Sequence, residues 1–172
     1  MRLYRAKIPQ IAKDVITTLE ADGDIEVLAT DREEAEKDLI AIMEEYVRRD
    51  MSLRDQIRDH MAHRKIPYNE YGRTKKRMAE EMDHPIGEDV ERFLGRQFIE
   101  NMLISRFIEE VYADDSDMYK KVLGVLRGHH VDEREIRDEA VAKIKNIDEG
   151  TVDYEIALQR AVRDVKKRRG LL

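Results

Sequence analysis

The stretch GEDVERFLGRQFIENMLISRFIEEVY, residues 87–112, limits what this chain can fold into more than any other. It holds every Phe, at Phe93, Phe98 and Phe107, and it spaces Val90, Leu94, Ile99, Met102, Leu103, Ile104, Ile108 and Val111 as a helix would. Between Phe98 and Ile108 the apolar positions spread beyond one stripe, and a helix apolar over most of its circumference is buried on several sides. Arg96, Glu100, Asn101, Arg106 and Glu109 interrupt the run. A membrane span needs about 20 nearly uncharged residues, so none is expected here. The spacing predicts a central helix over 87–112, roughly 39 Å long, with helices packed on both flanks. Glu88 and Asp89 suit its positive N-terminal end. Phe98, Met102, Leu103 and Phe107 are expected in the core.

A chain of 172 residues makes one sizeable domain or two small ones. At that size it can bury about 70% of its unfolded surface, and a core forms without staples. With Cys 0, disulfides, thiolate metal sites and cysteine nucleophiles are excluded together. The opening MRLYRAKIPQIAKDV contains no uninterrupted apolar segment of the secretory type, so a cytoplasmic protein is expected. Charged residues reach 41%, aromatics 6%, and turn formers are few at Gly 8 and Pro 3. That balance predicts an all-α fold. A net charge of -6 argues against a globally basic nucleic-acid binder but leaves room for a local basic patch.

In chain order, Ile8, Ile11, Val15, Ile16 and Leu19 predict a first amphipathic helix, with Pro9 in its first turn and Gly23 ending it. DIEVLAT then reads as an extended connector, with no sheet expected because no second strand is visible. Thr30 or Asp31 begins a helix to about Asp50, buried along Ala35, Leu39, Ile42, Met43, Tyr46 and Val47. Ser52 reads as the N-cap of a separate helix, with Asp55 at the capping-box position, and Pro67 ends that unit. Residues 68–82 predict a fourth helix weakened at Gly72. Beyond the central helix, Asp114 or Asp115 caps a helix that stops near Gly128. Asp132 starts another that carries Ile136, Ala140, Val141, Ile144 and Ile147 and closes at Gly150. Thr151 caps the last, which ends at Gly170.

The two halves repeat the same order of signals. GDIEVLATDREEAEKDL at Gly23 matches FIEEVYADDSDMYKKVL at Phe107, QIRD ending at Asp59 faces EIRD ending at Asp138, and PYNEYGRTKKRMAEEM corresponds to VDYEIALQRAVRDVKKRRG. The expectation is a tandem duplication of a four-helix unit, residues 1–86 and 87–172, joined through the central helix and able to merge into one elongated domain. The second half, with IEEV at Ile108, IRDEAVAKI at Ile136 and VDYEIALQRAVRDVKKRRG at Val152, resembles the bacterial family of unknown function numbered 507. MRL at the start and GDIEV at Gly23 resemble its N-terminal part. The resemblance implies a bacterial, cytoplasmic, helical protein and brings no catalytic residue. The first half departs where PYN stands for VDY and Gly72 for Ala.

Few motifs carry chemistry. A carboxylate-bridged di-iron bundle needs two Glu-x-x-His motifs with two further Glu, and only Glu81 with His84 fits. His60 and His63 share a helix face beside Asp59, so a helical-bundle metal protein is a minor alternative. His129 and His130 follow Gly128 at a helix end, where a cation is favoured. No G-x-S-x-G elbow, glycine-rich phosphate loop or HExxH occurs. Neither an enzyme nor a cofactor is expected. Two basic runs remain: Arg73, Lys75, Lys76 and Arg77 in the first half, and Arg163 with Lys166, Lys167, Arg168 and Arg169 in the second. They offer contacts for a nucleic acid or another polyanion, although consecutive residues on a helix point to different faces. The leading expectation is a non-enzymatic protein-protein interaction or structural module with a protein partner, and nucleic-acid or polyanion binding through the paired runs is the alternative.

Overall fold

A computed structural model describes residues 1–144 and 151–172. The architecture is all-α, built from α1 (Ile8–Ala21), α2 (Arg32–Arg64), α3 (Tyr71–Glu81), α4 (Asp89–Ile104), α5 (Asp115–Gly128), α6 (Glu133–Val141) and α7 (Val152–Arg168), with strands β1 (Ile25–Glu26) and β2 (Glu110–Val111). Among the described residues no helix is long and apolar enough to cross a membrane.

The longest element is α2, not the stretch at 87–112. Its 33 residues run without interruption through Ser52, the position that reads as an N-cap in the sequence. At about 1.5 Å per residue it is about 50 Å long. The buried positions Ala35, Leu39, Met43, Tyr46, Leu53, Ile57 and Met61 step by three or four residues along a single stripe, provided Asp50 occupies the place between Tyr46 and Leu53. A polar residue in an otherwise apolar stripe thus looks like a break in the sequence while the helix continues. Ser52 is exposed, and its hydroxyl accepts a hydrogen bond from the Gln56 side chain at 3.2 Å.

The N-terminal half of α2 packs with α1, α4 and α5 around one core, which takes side chains from both sides of residue 86. Ile8, Ile11, Val15, Ile16 and Leu19 all lie in it, as their spacing predicts. The C-terminal half of α2 makes a second core with α3 through Leu53, Ile57, Met61 and Ala79. A third joins α6 and α7 through Ile136, Ala140, Leu158 and Val165, with Tyr4 and Leu171 inserted.

The predicted central helix stops early. α4 ends at Ile104, and Ser105 turns extended with φ -71 and ψ 129. The Ser105 hydroxyl receives the Phe107 amide at 3.3 Å and donates to Asp38 at 2.8 Å, so local hydrogen bonding replaces the next helical turn. Phe98 and Met102 are buried as expected and Phe107 is half-buried, but Leu103 is 49% exposed and lies outside the core.

The chain after Ser105 supplies the strand that the DIEVLAT connector lacks in the sequence reading. β1 and β2 pair antiparallel, Ile25 opposite Val111 and Glu26 opposite Glu110. Lys121 of α5 fixes this ribbon by bonding Asp24 at 2.6 Å and Asp22 at 2.9 Å. His129, just past α5, meets Asp14 of α1 at 2.7 Å, a specific partner rather than a dipole contact alone.

Several ends follow their caps. Gly23 and Gly170 adopt φ of +73 and +64, the left-handed region that glycine favours, and end α1 and α7. The Asp132 carboxylate accepts the Arg134 amide at 2.7 Å, and the Thr151 hydroxyl accepts the Tyr154 amide at 3.2 Å. The fourth predicted helix begins later than its pattern suggests, with a 3-10 turn over Tyr68–Glu70 before α3. α6 ends at Val141, short of the predicted stop. Ile147 and Gly150 lie outside the described residues.

Candidate functional site

Where α2 crosses from the first core to the second, the N-terminal segment, the α3–α4 connection and the end of α7 converge on it. Asp50, the polar position in the stripe, faces His84, whose side chain is 1% exposed and whose Nε2 lies 3.6 Å from Asp50 Oδ1. The Tyr46 ring stacks on the imidazole with centroids 5.0 Å apart, and its hydroxyl donates to the Pro85 carbonyl at 3.2 Å. Among the described residues no atom hydrogen-bonds either ring nitrogen of His84. Burial pushes the His84 pKa down; Asp50 opposes that shift, while Arg49 and Lys75 reinforce it. Burial and the Asp50 charge together push the Tyr46 hydroxyl up.

A His with a folded pKa below its unfolded value of about 6.5 binds its proton more readily in the unfolded chain. Its contribution to stability is complete above that value and is lost as pH falls from there through the lower folded pKa. His84→Phe is therefore expected to flatten the stability-pH curve below about pH 6.5, read from urea unfolding midpoints. An unchanged slope would contradict a buried neutral His84.

A second polar cluster ties the N-terminal segment to α6 and α7. Tyr4 donates to Glu133, and Lys166 reaches the same carboxylate at 3.0 Å, as does Arg2 at 3.1 Å. Lys166 is 8% exposed, with its ammonium 5.4 Å above the Tyr4 ring. Burial would raise the Glu133 pKa, but the hydrogen bonds from Tyr4 and Lys166 and the charges of Arg2 and Lys166 hold it below its usual range. Burial and the bond to Glu133 push the Tyr4 hydroxyl up.

Between the two clusters opens a cleft of about 640 Å³, lined by Arg2, Arg5, Arg54, Lys75 and Lys166, with Asp50 as a side-chain carboxylate in its wall. Arg54 bonds Asp50 at 2.6 Å. Among the described residues no carboxylate lies within 4.0 Å of Arg5 or Lys75, and Arg5 touches the Met51 sulfur at 3.5 Å. Arg54 also lines an adjoining cleft of about 700 Å³ with Arg58, Lys65, Tyr68 and Tyr71, so the basic surface continues along the second half of α2.

The sequence-predicted basic runs are only partly brought together. Lys75 and Lys166 meet at this cleft. Arg73 pairs with Glu70 at 3.1 Å, and Arg77 pairs with Glu81 at 3.3 Å and donates to His60 Nε2 at 3.0 Å. Lys76 lies over a separate depression beside Glu80 and Asp83. Arg168 pairs with Glu139, and Arg169 reaches Glu139 at 2.8 Å and Glu135 at 3.6 Å, so these two fasten α7 to α6. Arg163 and Lys167 are exposed, with no carboxylate within 4.0 Å among the described residues. Arg2, Arg5 and Arg54 escape a search for runs because they stand singly; the signal for Arg54 is the i, i+4 spacing from Asp50. Among the described residues no group of three or more His, Asp or Glu is placed to hold a metal.

The overall charge is unevenly spread. α1 carries the chain from the cleft at Arg5 to the ribbon at Asp22, about 21 Å for its 14 residues. Asp22, Asp24, Glu26, Glu109 and Glu110 crowd the ribbon end, so the net charge of -6 does not describe the cleft.

Fold and site together define an all-α protein with a basic cleft where its cores meet. No curated protein matches the chain. It belongs to the family described as Protein of unknown function (DUF507), which matches residues 1–171.

Proposed function

We propose that this protein is a non-enzymatic, cytoplasmic binding module whose basic cleft holds the phosphates of a nucleic acid. The observation that carries the reading is that Lys75 and Lys166, one from each basic run, converge with Arg2, Arg5 and Arg54 around one concavity. Like charges gathered in a cleft with low-dielectric walls attract polyanions from a distance. Arg5 and Lys75 stand without a carboxylate within 4.0 Å among the described residues, so phosphate binding there breaks no ion pair.

A labelled oligonucleotide is expected to bind at about 50 mM salt and to lose affinity steeply by about 200 mM, because each neutralised phosphate releases condensed counterions. The double variant Arg5→Gln with Lys75→Gln is expected to flatten the log-log salt slope by about 1.4 for a single strand, about 0.7 for each phosphate no longer neutralised. Substitutions at such positions change stability by about 0.5 kcal/mol or less, so the fold is expected to persist. Absence of binding at low salt would overturn the reading.

The order helix, strand, helix, helix, helix in each half supports descent from a duplicated unit, residues 1–86 and 87–172. In the first half the second and third helices are fused as α2. The equivalent connectors β1 and β2 pair with each other, as a two-fold arrangement of two copies would place them. A protein partner is the other reading, favoured by Leu103, Ile104 and Tyr112 at the ribbon end, which are 49%, 84% and 64% exposed.

A further inference from the structure

We propose that the groove takes single-stranded nucleic acid, with an unpaired base stacked on Tyr68 and the flanking phosphates on Arg54, Arg58 and Lys65; this rests on the polyanion reading of the neighbouring cleft. The turn between α2 and α3 puts Tyr68 in place. Lys65 takes the left-handed conformation at φ 53, and Ile66 N bonds the Met61 carbonyl at 2.9 Å, which closes α2. Pro67, extended at ψ 151, then starts the 3-10 turn that carries Tyr68 into α3. The fixed φ of Pro67 limits the freedom of the chain there.

Tyr68 is nevertheless 83% exposed. Its ring lies 5.7 Å from Tyr71 at 27°, so one face is supported and the other is left to solvent. An exposed aromatic on a rigid turn is a platform, and every base has a π-face to lay on it. Around it, Arg54, Arg58 and Lys65 line a cleft whose walls contain no carboxylate among the described residues, although Arg54 bonds Asp50 at 2.6 Å and Arg58 pairs with Asp55 on the same helix. Met61, Ala62 and Ile66 supply the apolar remainder of the lining. Cations interleaved with aromatics along one groove suit a backbone with splayed bases. A duplex keeps its base faces stacked inside and offers Tyr68 sugar, phosphate and base edges but no free face along its length. Arg54 lines both clefts, so the strand would continue toward Lys75 and Arg5.

The test titrates the full chain with oligo(dT), with a duplex of the same length and with inorganic polyphosphate, reading anisotropy and intrinsic fluorescence. The chain has Tyr 7 and Trp 0, so that fluorescence comes from tyrosine and a stacked base quenches it. The single strand is expected to bind tightest of the three. Tyr68→Ala is expected to weaken it by about fivefold or more and to remove most of the quenching, with the salt slope unchanged. Tyr68→Phe keeps the ring and is expected to bind like the parent. Equal affinity for all three polyanions, or a Tyr68→Ala variant that binds like the parent, would overturn the stacking proposal and leave the polyanion reading standing. Failure to bind any of the three would overturn both.

Discussion

Truncating Phe98 to Ala is expected to lower the free energy of unfolding by about 3 to 5 kcal/mol, the range for deleting a fully buried aromatic. Phe98 is 0% exposed and lies in the core shared by α1, α2, α4 and α5. The loss has two parts: the transfer energy of the ring, and the cavity left because helices on several sides cannot all close over it. A control at Leu103, also on α4 but 49% exposed, should cost far less, about 0.5 kcal/mol to 1 kcal/mol. Urea unfolding followed by circular dichroism measures both; a change under about 1 kcal/mol for Phe98→Ala would place that face outside the core.

The contrast between Phe98 and Leu103 also marks what was legible in the sequence. Helical spacing picks out Ile8, Ile11, Val15, Ile16 and Leu19 of the buried stripe of α1 and passes over only the small Ala12, because all of these face one core. It overextended α4, because residues after Ile104 remain apolar for a different reason: Phe107, Ile108 and Val111 pack on the first core from a turn and a strand rather than from a helix. β2 was hidden inside that run, and without it β1 had no visible mate. A strand pair of this length takes its register from interactions distant in sequence, such as Lys121 with Asp24.

The candidate site was legible in fragments. Runs of Lys and Arg drew attention to Lys75 and Lys166, but most of their neighbours serve local ion pairs, Arg168 and Arg169 with Glu139 above all. Helical geometry explains the split, since residues adjacent in sequence point about 100° apart and only some can reach a given cleft. Arg2, Arg5 and Arg54 come from two other parts of the chain, and only the fold brings them to Lys75 and Lys166. Asp50 carried the clearest missed signal. A carboxylate at a stripe position contradicts the local pattern, and such contradictions are expected where a fold positions polar groups for a purpose.

The continuity of α2 through Ser52 is open to a sharp test. If Ser52 began a new helix, Ser52→Pro would sit at a boundary, where a missing amide hydrogen costs little. In a continuous α2 the substitution removes the hydrogen bond from residue 52 to the Arg48 carbonyl and drives the proline ring into that carbonyl. The expected loss is about 3 kcal/mol or more. It should reach beyond the local turn, because α2 anchors the first core through Met43 and Tyr46 and the second through Leu53 and Ile57. Ser52 is exposed, so Ser52→Ala removes the hydroxyl without touching the backbone and should leave stability within about 0.5 kcal/mol, whereas loss of a true N-cap would cost about 1 kcal/mol. A proline variant as stable as the parent would restore two separate helices. A large loss confined to Ser52→Pro would establish α2 as the rigid spine that holds Asp50 against His84 and Arg54 between the two clefts.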